Sequence, residues 1–149
     1  MTHPLKTFDY NEIIDAIFIG NNMCCQADFE KELLNQGVAA DISLEEEKID
    51  SPIGVDYFLW LPTKNHYAPD NKKLELGVTA LDFFVKNKIK VYVHCKNGHG
   101  RAPTLVAAYF ISKGMTKDQA INLLTSKRPG VHLNDKQIKA LDTFEQLRR

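Results

Sequence analysis

The stretch VYVHCKNGHGRAPT, which runs from Val91 to Thr104, decides how the chain is organised. Its first residues are branched, aromatic and apolar, as is typical of a buried β-strand. Apolar residues recur at helical spacing after Arg101, and Pro103 is tolerated in the first turn of a helix. Cys95 stands where the strand ends. The stretch therefore predicts a strand, a glycine-containing loop and a helix, with a thiol at the loop's entrance and a guanidinium at its exit.

The rest of the chain alternates between strand-like and helix-like segments. Runs rich in branched and aromatic residues predict further strands in EIIDAIFIG, VAADISL and VDYFLWLP. Helical spacing or capping residues predict helices in ADFEKELLNQG, between residues 71 and 88, in TKDQAINLLTSK and in NDKQIKALDTFEQL. We therefore predict one α/β domain over residues 1–149, with a sheet flanked by helices.

Composition and charge exclude several classes of protein. Lys plus Arg and Asp plus Glu both number 19, so no overall field directs the chain to nucleic acid or to an anionic membrane. The N-terminal MTHPLKTFDY lacks the apolar region of a signal peptide, and no apolar run is long enough to span a membrane. We expect a soluble, cytoplasmic monomer with no stable membrane insertion.

The three cysteines, Cys24, Cys25 and Cys95, form a poor disulfide framework and suggest a reducing compartment. No C-x-x-C spacing is present, so no zinc site is predicted. For Cys24 and Cys25 we expect buried packing. A regulatory disulfide between one of them and Cys95 is the alternative.

The loop after the strand has the features of an anion-binding site. Backbone N–H groups at a helix N-terminus have no intrahelical partner, and the helix dipole is positive there. Gly98 and Gly100 permit the required backbone conformations, and Arg101 can offer two parallel hydrogen bonds to phosphate oxygens. The same positive field favours the thiolate form of Cys95. The predicted phosphate-binding residues are Lys96, Asn97, Gly98, His99, Gly100 and Arg101.

A buried structural cysteine followed by an ordinary glycine turn is the competing interpretation. It is disfavoured because four residue types agree, in the pattern His-Cys-x-x-Gly-x-x-Arg, and because they occur in a strand–loop–helix context. A protease-like Cys–His pair fails on geometry, since His94 and Cys95 are adjacent on a strand and leave on opposite faces. We expect His94 to support the loop from behind.

These residues resemble the signature of the cysteine-dependent protein tyrosine phosphatase superfamily, in particular its small dual-specificity branch. The resemblance covers most of the chain and includes AIFIG, GVDYFLWLP and SKRPGVHLNDKQIKALDTFE. It implies a central sheet of four or five strands between helices, and phosphomonoester hydrolysis through a phosphocysteine without metal or cofactor. Cys95 would attack phosphorus, while Arg101 and the backbone N–H groups of residues 96–101 would hold the equatorial oxygens, stabilising the transition state.

One departure from the family pattern concerns the general acid, an Asp a few residues after a proline. In LPTKNHYAP that position is Asn65, which cannot donate a proton to a leaving group. His66 or Asp70 could serve instead, although a solvated loop residue is the expected role of each. Alternatively, the substrate has a good leaving group, the protein binds phosphate more than it hydrolyses it, or Asn65 is an engineered replacement that traps substrate.

A second departure follows Arg101, where the family usually has Ser or Thr and this chain has Ala102. The resemblance implies that the missing hydroxyl helps the cysteine leave in the hydrolytic step, and Thr104 lies further along the helix. We therefore expect slow breakdown of the phosphocysteine.

The sequence leaves the class of substrate open. Lys96 and His99 make HCKNGHGR similar to loops of tensin-like phosphoinositide phosphatases and of the mitochondrial phosphatidylglycerophosphate phosphatase. We rank phosphorylated proteins first, with phosphotyrosine and then phosphoserine or phosphothreonine. A phosphoinositide or small-metabolite phosphatase and a phosphate-binding pseudophosphatase are the alternatives.

Two further expectations concern side chains outside the loop. Tyr57, Phe58 and Trp60 are predicted to lie in the core. Solvated surface charge is predicted for Lys127, Arg128, Arg148 and Arg149.

Overall fold

The computed structural model describes residues 7–148. Five strands form one sheet: β1 (Tyr10–Ile14), β2 (Ile17–Gly20), β3 (Val38–Glu45), β4 (Tyr57–Thr63) and β5 (Lys90–His94). The α-helices in the described part are α1 (Lys31–Asn35), α2 (Asn71–Lys86), α3 (Arg101–Ser112), α4 (Lys117–Lys127) and α5 (Asp135–Leu147). A 3₁₀ turn (Asn22–Cys24) follows β2. The expectations for residues 1–6 and for Arg149 fall outside the described residues.

The sheet is mixed, with strand order β1-β2-β5-β3-β4. β1 and β2 form an antiparallel hairpin, whereas β2, β5, β3 and β4 run parallel to one another. The predicted α/β class, a sheet of four or five strands flanked by helices, is confirmed. β5 lies at the centre, so the loop that follows it opens at the carboxyl edge of the sheet, where ligands bind in open α/β sheets.

The main core lies between one face of the sheet and helices α2 to α5. Val91, Val93 and Cys95 face this core, together with helix α3. Residues 101–111 of α3 are all buried, so this helix is surrounded by protein. Tyr92 belongs to a second cluster, on the opposite face of β5. The alternation places Cys95 and its neighbour His94 on different faces, as predicted.

The second face of the sheet has a thinner cover, made by the 3₁₀ turn, helix α1 and the loops around them. Phe18, Phe29 and Leu33 pack there beside Tyr92. Cys24 and Cys25 are buried in this layer, which confirms their predicted packing, and they are joined to each other by a disulfide. Cys95 is a free thiol, so the alternative prediction, a disulfide between Cys95 and Cys24 or Cys25, does not hold in this structure.

Helix ends form where the sequence predicts them. Thr116 and Gln119 form a reciprocal capping box on α4, and Gly37 after α1 has a positive φ of 91°. Asn134 caps α5 and is answered by Gln137. Within residues 7–148, no helix combines the length and the apolar character needed to cross a bilayer.

The predicted burial of three aromatic side chains is wrong. Tyr57, Phe58 and Trp60 are 44%, 40% and 38% exposed. They lie on β4, which is an edge strand paired only with β3 and therefore less covered than the central strands. Trp60 donates a hydrogen bond from Nε1 to the backbone oxygen of Glu45, so its polar atom is satisfied at the surface.

Candidate active site

A cavity of about 280 Å³ opens beside the loop between β5 and α3. Its wall brings together the predicted loop, the predicted general-acid segment and the start of α5. Its lining residues are Asn65, His66, Cys95, Lys96, Asn97, His99, Gly100, Arg101, Gly130, His132, Asn134 and Gln137. Cys95 is only 3% exposed, which places the thiol at the base of the cavity. Thiol and guanidinium therefore share one concave site, as the spacing predicts.

Gly98 shapes the loop instead of lining the cavity. Its φ of 75° is disfavoured for other residues, and a Cβ there would lie 2.4 Å from the backbone oxygen of Gly20. Gly98 does not line the cavity, and its predicted part in binding phosphate through the loop backbone stays a prediction. The glycine is required because the loop packs directly against the end of β2.

Arg128 holds the loop from beneath and is not the predicted surface charge. It is fully buried, and its Nε and Nη2 donate to the backbone oxygens of Gly98 and Asn97, each at 2.9 Å. The same guanidinium reaches Oδ1 of Asn11 at 2.8 Å and Oδ2 of Asp9 at 3.1 Å. Arg128 therefore ties the loop between β5 and α3 to strand β1 and the segment before it.

Arg101 is fixed by one edge of its guanidinium. Nη1 and Nη2 donate to the two carboxylate oxygens of Glu47 at 2.6 and 3.0 Å, and Nη1 also donates to the backbone oxygen of Thr63 at 2.8 Å. Within residues 7–148, the edge formed by Nε and the remaining Nη2 hydrogen has no hydrogen-bond partner. That edge has the spacing for two parallel bonds to phosphate oxygens.

The Glu47–Arg101 pair also sets the charge state of both groups. Burial disfavours the charge on Arg101, but the hydrogen bond with Glu47 and the surrounding negative groups outweigh it and raise the pKa of Arg101. The hydrogen bond from Arg101 lowers the pKa of Glu47. A permanent cation therefore stands beside the thiol of Cys95.

His94 lies behind the loop, as predicted. Its ring is fully buried, with Nδ1 3.4 Å from the backbone oxygen of Cys95 and Nε2 2.6 Å from Oδ2 of Asp50. Asp41 Oδ1 is 3.2 Å from the same Nε2. Burial opposes the positive charge, but the two carboxylates outweigh it, so the pKa of His94 is raised well above its ordinary value. Burial raises the pKa of Asp41 to about 6, against the lowering effect of His94.

The three candidates for the general acid do not share one place. Asn65 and His66 line the cavity, whereas Asp70 lies outside it and caps α2 by accepting from the backbone N of Lys73 at 2.8 Å. Asp70 is therefore a helix cap, and its proposed role as an acid is not supported. Asn65 Oδ1 accepts from the backbone N of His66, which has a positive φ of 71°.

Helix α5 holds the segment that carries Asn65 and His66. Asn134 Nδ2 donates to the backbone oxygen of His66 at 2.8 Å, and Gln137 Nε2 to that of Tyr67 at 3.3 Å. The capping residues of α5 thus also position one wall of the cavity, a role that the sequence reveals only as a helix start.

The site also contains Gly130, His132 and Glu47, which the sequence did not predict. His132 lines the cavity, and its backbone N donates to the backbone oxygen of His99 at 2.8 Å. Glu47 is the last of three consecutive glutamates at and after the end of β3, a pattern that gives no signal of its contact with Arg101.

The second family departure is visible in the first turn of α3. Ala102 is fully buried and carries no hydroxyl. Thr104 Oγ1 donates to the backbone oxygen of Gly100 at 2.7 Å and does not line the cavity. Thr104 therefore does not replace the missing hydroxyl at position 102.

Comparisons with known proteins agree with this geometry. The family model for "Dual specificity phosphatase, catalytic domain" matches residues 17–147. Phosphatidylglycerophosphate phosphatase PTPMT2 of Arabidopsis thaliana is 37% identical over 94 residues, which are 60% of this chain and 40% of that protein. Protein tyrosine phosphatase type IVA 3 of Mus musculus is 42% identical over 98 residues, which are 64% of this chain and 56% of that protein. The chain thus spans about half the length of these two relatives, or less.

Solved structures share the fold. The crystal structure of PTPMT1 in complex with PI(5)P has a TM-score of 0.79 and 25% identity, covering 93% of this chain and 95% of that one. Human DUSP28 has a TM-score of 0.83 at 22% identity, covering 92% of this chain and 96% of that one, and shows the fold alone. The predicted superfamily, branch and enzyme class are confirmed. The chain belongs to the dual specificity phosphatase family, and residues 17–147 match that family's catalytic domain.

Proposed function

We propose that this chain hydrolyses phosphate monoesters through a phosphocysteine formed on Cys95. The observation that carries the proposal is the shared cavity, in which the free thiol of Cys95 lies at the base and Arg101 lies on the wall with one donor edge unpaired. Neither a structural cysteine nor a simple anion site requires both features. The loop 95–101 supplies the phosphate-binding backbone before helix α3.

In the first step the thiolate of Cys95 attacks phosphorus, so that an S–P bond forms and the bond from phosphorus to the leaving oxygen breaks. The leaving oxygen takes up a proton. In the second step water attacks phosphorus, the S–P bond breaks, and phosphate and the thiolate are released. Arg101 and the loop N–H groups stabilise the equatorial oxygens in both steps, because charge builds up there in the transition state.

Substrates with good leaving groups are favoured, because the site lacks the family's acidic residue that would give the leaving oxygen a proton. Asn65 cannot donate a proton, and Asp70 is outside the cavity. The other cavity-wall side chains that can carry a transferable proton are His66, His99, His132 and Lys96. A phenolate leaves with less assistance than an alkoxide, so we rank phosphotyrosine in proteins ahead of phosphoserine and phosphothreonine.

A second candidate is a multiply anionic substrate such as a phosphoinositide. Among the described residues that line the cavity none is Asp, Glu, Phe, Tyr or Trp, whereas Lys96 and Arg101 carry positive charge. Two similar proteins, a phosphatidylglycerophosphate phosphatase and PTPMT1 in complex with PI(5)P, support this candidate. It ranks second because relatives named protein tyrosine phosphatases include one of which this chain covers 72%.

The test is pre-steady-state hydrolysis of an aryl phosphate by the wild-type chain and by Cys95→Ser. We expect a burst proportional to enzyme in the wild type and none in Cys95→Ser, with equal melting temperatures. A wild-type chain that binds phosphate tightly but shows no burst at any pH is a pseudophosphatase, and the proposal is then wrong.

A substrate panel decides between the two candidates. Phosphotyrosine peptides, phosphoserine peptides and soluble inositol phosphates are compared by kcat/KM under one set of conditions. We expect the highest values for phosphotyrosine. Turnover of inositol phosphates with flat rates on every peptide would replace the first candidate by the second.

We further propose that the protein acts as a cytoplasmic monomer. The balanced charge supports this, and light scattering with cell fractionation tests it. A dimer in solution or a membrane-bound pool would contradict it.

A further inference from the structure

A group of metal-ligating side chains lies on the face of the sheet opposite the main core. Cys24, Cys25, Asp41 and His94 each offer one donor atom, and these four atoms all lie within 4.8 Å of one another. All four residues are at most 1% exposed. They come from the segment after β2, from β3 and from the end of β5, so the fold and not a local motif brings them together.

Several carboxylate oxygens in this group lack partners. Both carboxylate oxygens of Asp41 and Oδ1 of Asp50 are buried without a hydrogen bond in the described part of the chain. Asp41 Oδ1 lies 3.2 Å from His94 Nε2 and forms an ion pair with that ring. Buried carboxylate oxygens are normally hydrogen-bonded or bound to a cation. Within residues 7–148, Asp41 Oδ2 and Asp50 Oδ1 have no such contact, and these two buried oxygens beside one imidazole therefore point to a cation.

We propose that Cys24, Cys25, Asp41 and His94 form a binding site for Zn²⁺ or a similar divalent transition metal when the cysteine pair is reduced. Two thiolates, one imidazole nitrogen and one carboxylate oxygen are a donor set that zinc accepts in tetrahedral geometry. In a tetrahedral site the donors lie roughly 3.3–3.8 Å apart, given Zn–N and Zn–S bonds of about 2.0–2.3 Å. Binding thus requires the more distant donor atoms to approach by at most about 1.5 Å, while the two sulfurs, freed from the disulfide, separate to roughly 3.8 Å.

The ligand nitrogen is Nε2 of His94. It is 3.5 Å from Cys25 Sγ and 3.2 Å from Asp41 Oδ1, whereas Nδ1 faces the backbone oxygen of Cys95 at 3.4 Å. A ligating histidine usually donates its other N–H to a carbonyl or carboxylate, which fixes the ring. Here that carbonyl belongs to the nucleophile's own residue.

The protons and electrons of this change can be accounted for. The structure holds Cys24 and Cys25 as a disulfide. A thiol or phosphine reductant supplies two electrons, the S–S bond breaks, and each sulfur takes up one proton. Metal binding then forms bonds to both sulfurs and to Nε2, and it releases two thiol protons and the Nε2 proton to solvent. The metal takes the place of the proton that Nε2 shares with Asp50.

The site lies directly beneath the catalytic loop. The backbone N of Asn22, in the same 3₁₀ turn as Cys24, donates to the backbone oxygen of Lys96 at 3.2 Å. His94 contacts the adjacent carbonyl of Cys95. A bound metal would therefore stabilise the loop from the side that substrate never reaches.

The experiment uses the full chain reduced with excess phosphine under argon, with thiols counted by alkylation and mass spectrometry. Cobalt(II) is then titrated as a spectroscopic probe, and zinc is counted by native mass spectrometry. We expect three thiols, one metal per chain, visible bands of tetrahedral cobalt and a thiolate-to-cobalt charge-transfer band. X-ray absorption of the zinc form should show two sulfur neighbours at about 2.3 Å.

Variants identify the ligands. Cys24→Ser and Cys25→Ser should each abolish the charge-transfer band pattern that two thiolates give with cobalt. Asp41→Asn should weaken cobalt binding by at least about 10-fold. Cys95→Ser is the matched control, because it removes the other thiol and should leave the cobalt spectrum unchanged. The wild-type X-ray absorption measurement decides the question even if a variant fails to fold.

The proposal is wrong if three thiols are counted and no stoichiometric metal binds. It is equally wrong if binding is lost in Cys95→Ser, or if the pair stays oxidised in excess phosphine. None of these results bears on hydrolysis at Cys95, so failure here is distinct from failure of the proposed phosphatase activity.

Discussion

The carboxylate of Glu47 binds Arg101 end-on, with Oε1 2.6 Å from Nη1 and Oε2 3.0 Å from Nη2. This contact uses one edge of the guanidinium and leaves the edge at Nε unpaired within the described residues. The Arg101 side chain is 2% exposed, whereas that of Glu47 is 41% exposed. Glu47 thus acts as a positioning residue at the solvent side of a buried cation.

Glu47→Gln should lower kcat/KM for an aryl phosphate by about 10-fold, because a misplaced arginine no longer matches the phosphate oxygens in the transition state. We expect the change mainly in kcat, because Arg101 is still present to bind the substrate. Glu46→Gln is the matched control, since Glu46 is an exposed neighbour whose side chain does not contact Arg101. A rise in phosphate affinity in Glu47→Gln would show instead that Glu47 competes with substrate.

The same contact should make stability depend on pH in a defined direction. The hydrogen bond from Arg101 lowers the pKa of Glu47 from its ordinary value of 4.5. A lowered carboxyl pKa adds stability above the unfolded value, and this stability is lost as the pH falls through the folded value. The melting temperature of the wild type should therefore exceed that of Glu47→Gln at pH 7, and the gap should close in acid. A gap that widens in acid would contradict this.

Arg128→Met should lower the free energy of unfolding by about 2–3 kcal/mol, because two loop carbonyls and Asn11 lose a buried donor. It should also weaken vanadate binding, since the loop loses its support. Urea unfolding and vanadate titration measure the two effects. Lys127→Met, one residue earlier and exposed, should change neither. Unchanged vanadate affinity in a folded Arg128→Met would show that the loop holds its shape without Arg128.

Asn65→Asp should accelerate formation of the phosphocysteine from alkyl phosphates by about 100-fold, because it supplies a proton donor at the cavity wall. Aryl phosphates with good leaving groups should change little. The measurement is the dependence of the burst rate on the pKa of the leaving group. Asp70→Asn is the control, and a steeper dependence in that variant would restore Asp70 as a candidate acid, because loss of a general acid slows poor leaving groups most.

Ala102→Ser should speed turnover after the burst by roughly 10-fold. A hydroxyl next to Arg101 can donate a hydrogen bond to the departing thiolate of Cys95 and so stabilise its charge. The burst rate itself serves as the internal reference and should stay constant. Rapid-quench measurement of the phosphocysteine follows its decay directly. Equal decay in both chains would show that breakdown of the intermediate does not depend on this position.

Local signals predicted much of the fold and the centre of the site. The strand before Cys95, the helix after it and the caps at Thr116 and Asn134 depend on neighbouring residues, so the sequence contains them. The placement of His94 behind the loop follows from the alternation of side chains along a strand.

The errors concern contacts between distant segments. In the sequence, Arg128 has the pattern of a surface charge at the end of a helix. Nothing nearby indicates its burial, because its partners Asp9 and Asn11 are 119 and 117 residues away in the chain. Glu47 lies in a polar loop whose position only the folded sheet defines. Trp60 belongs to an apolar run, and such a run does not show whether its strand is central or at an edge.

The bonds of Arg128 have a consequence for the order in which the protein matures during synthesis. One end of its network is in the first strand, and the other is residue 128 of 149. A nascent chain that has not yet emerged past α4 holds Cys95 and Arg101 but lacks the support beneath their loop. We therefore expect the chain to become able to bind phosphate late in synthesis, at a stage when most of the sheet has formed. A ribosome-bound chain that ends before Arg128 should fail to bind vanadate, and extension through α5 should restore binding.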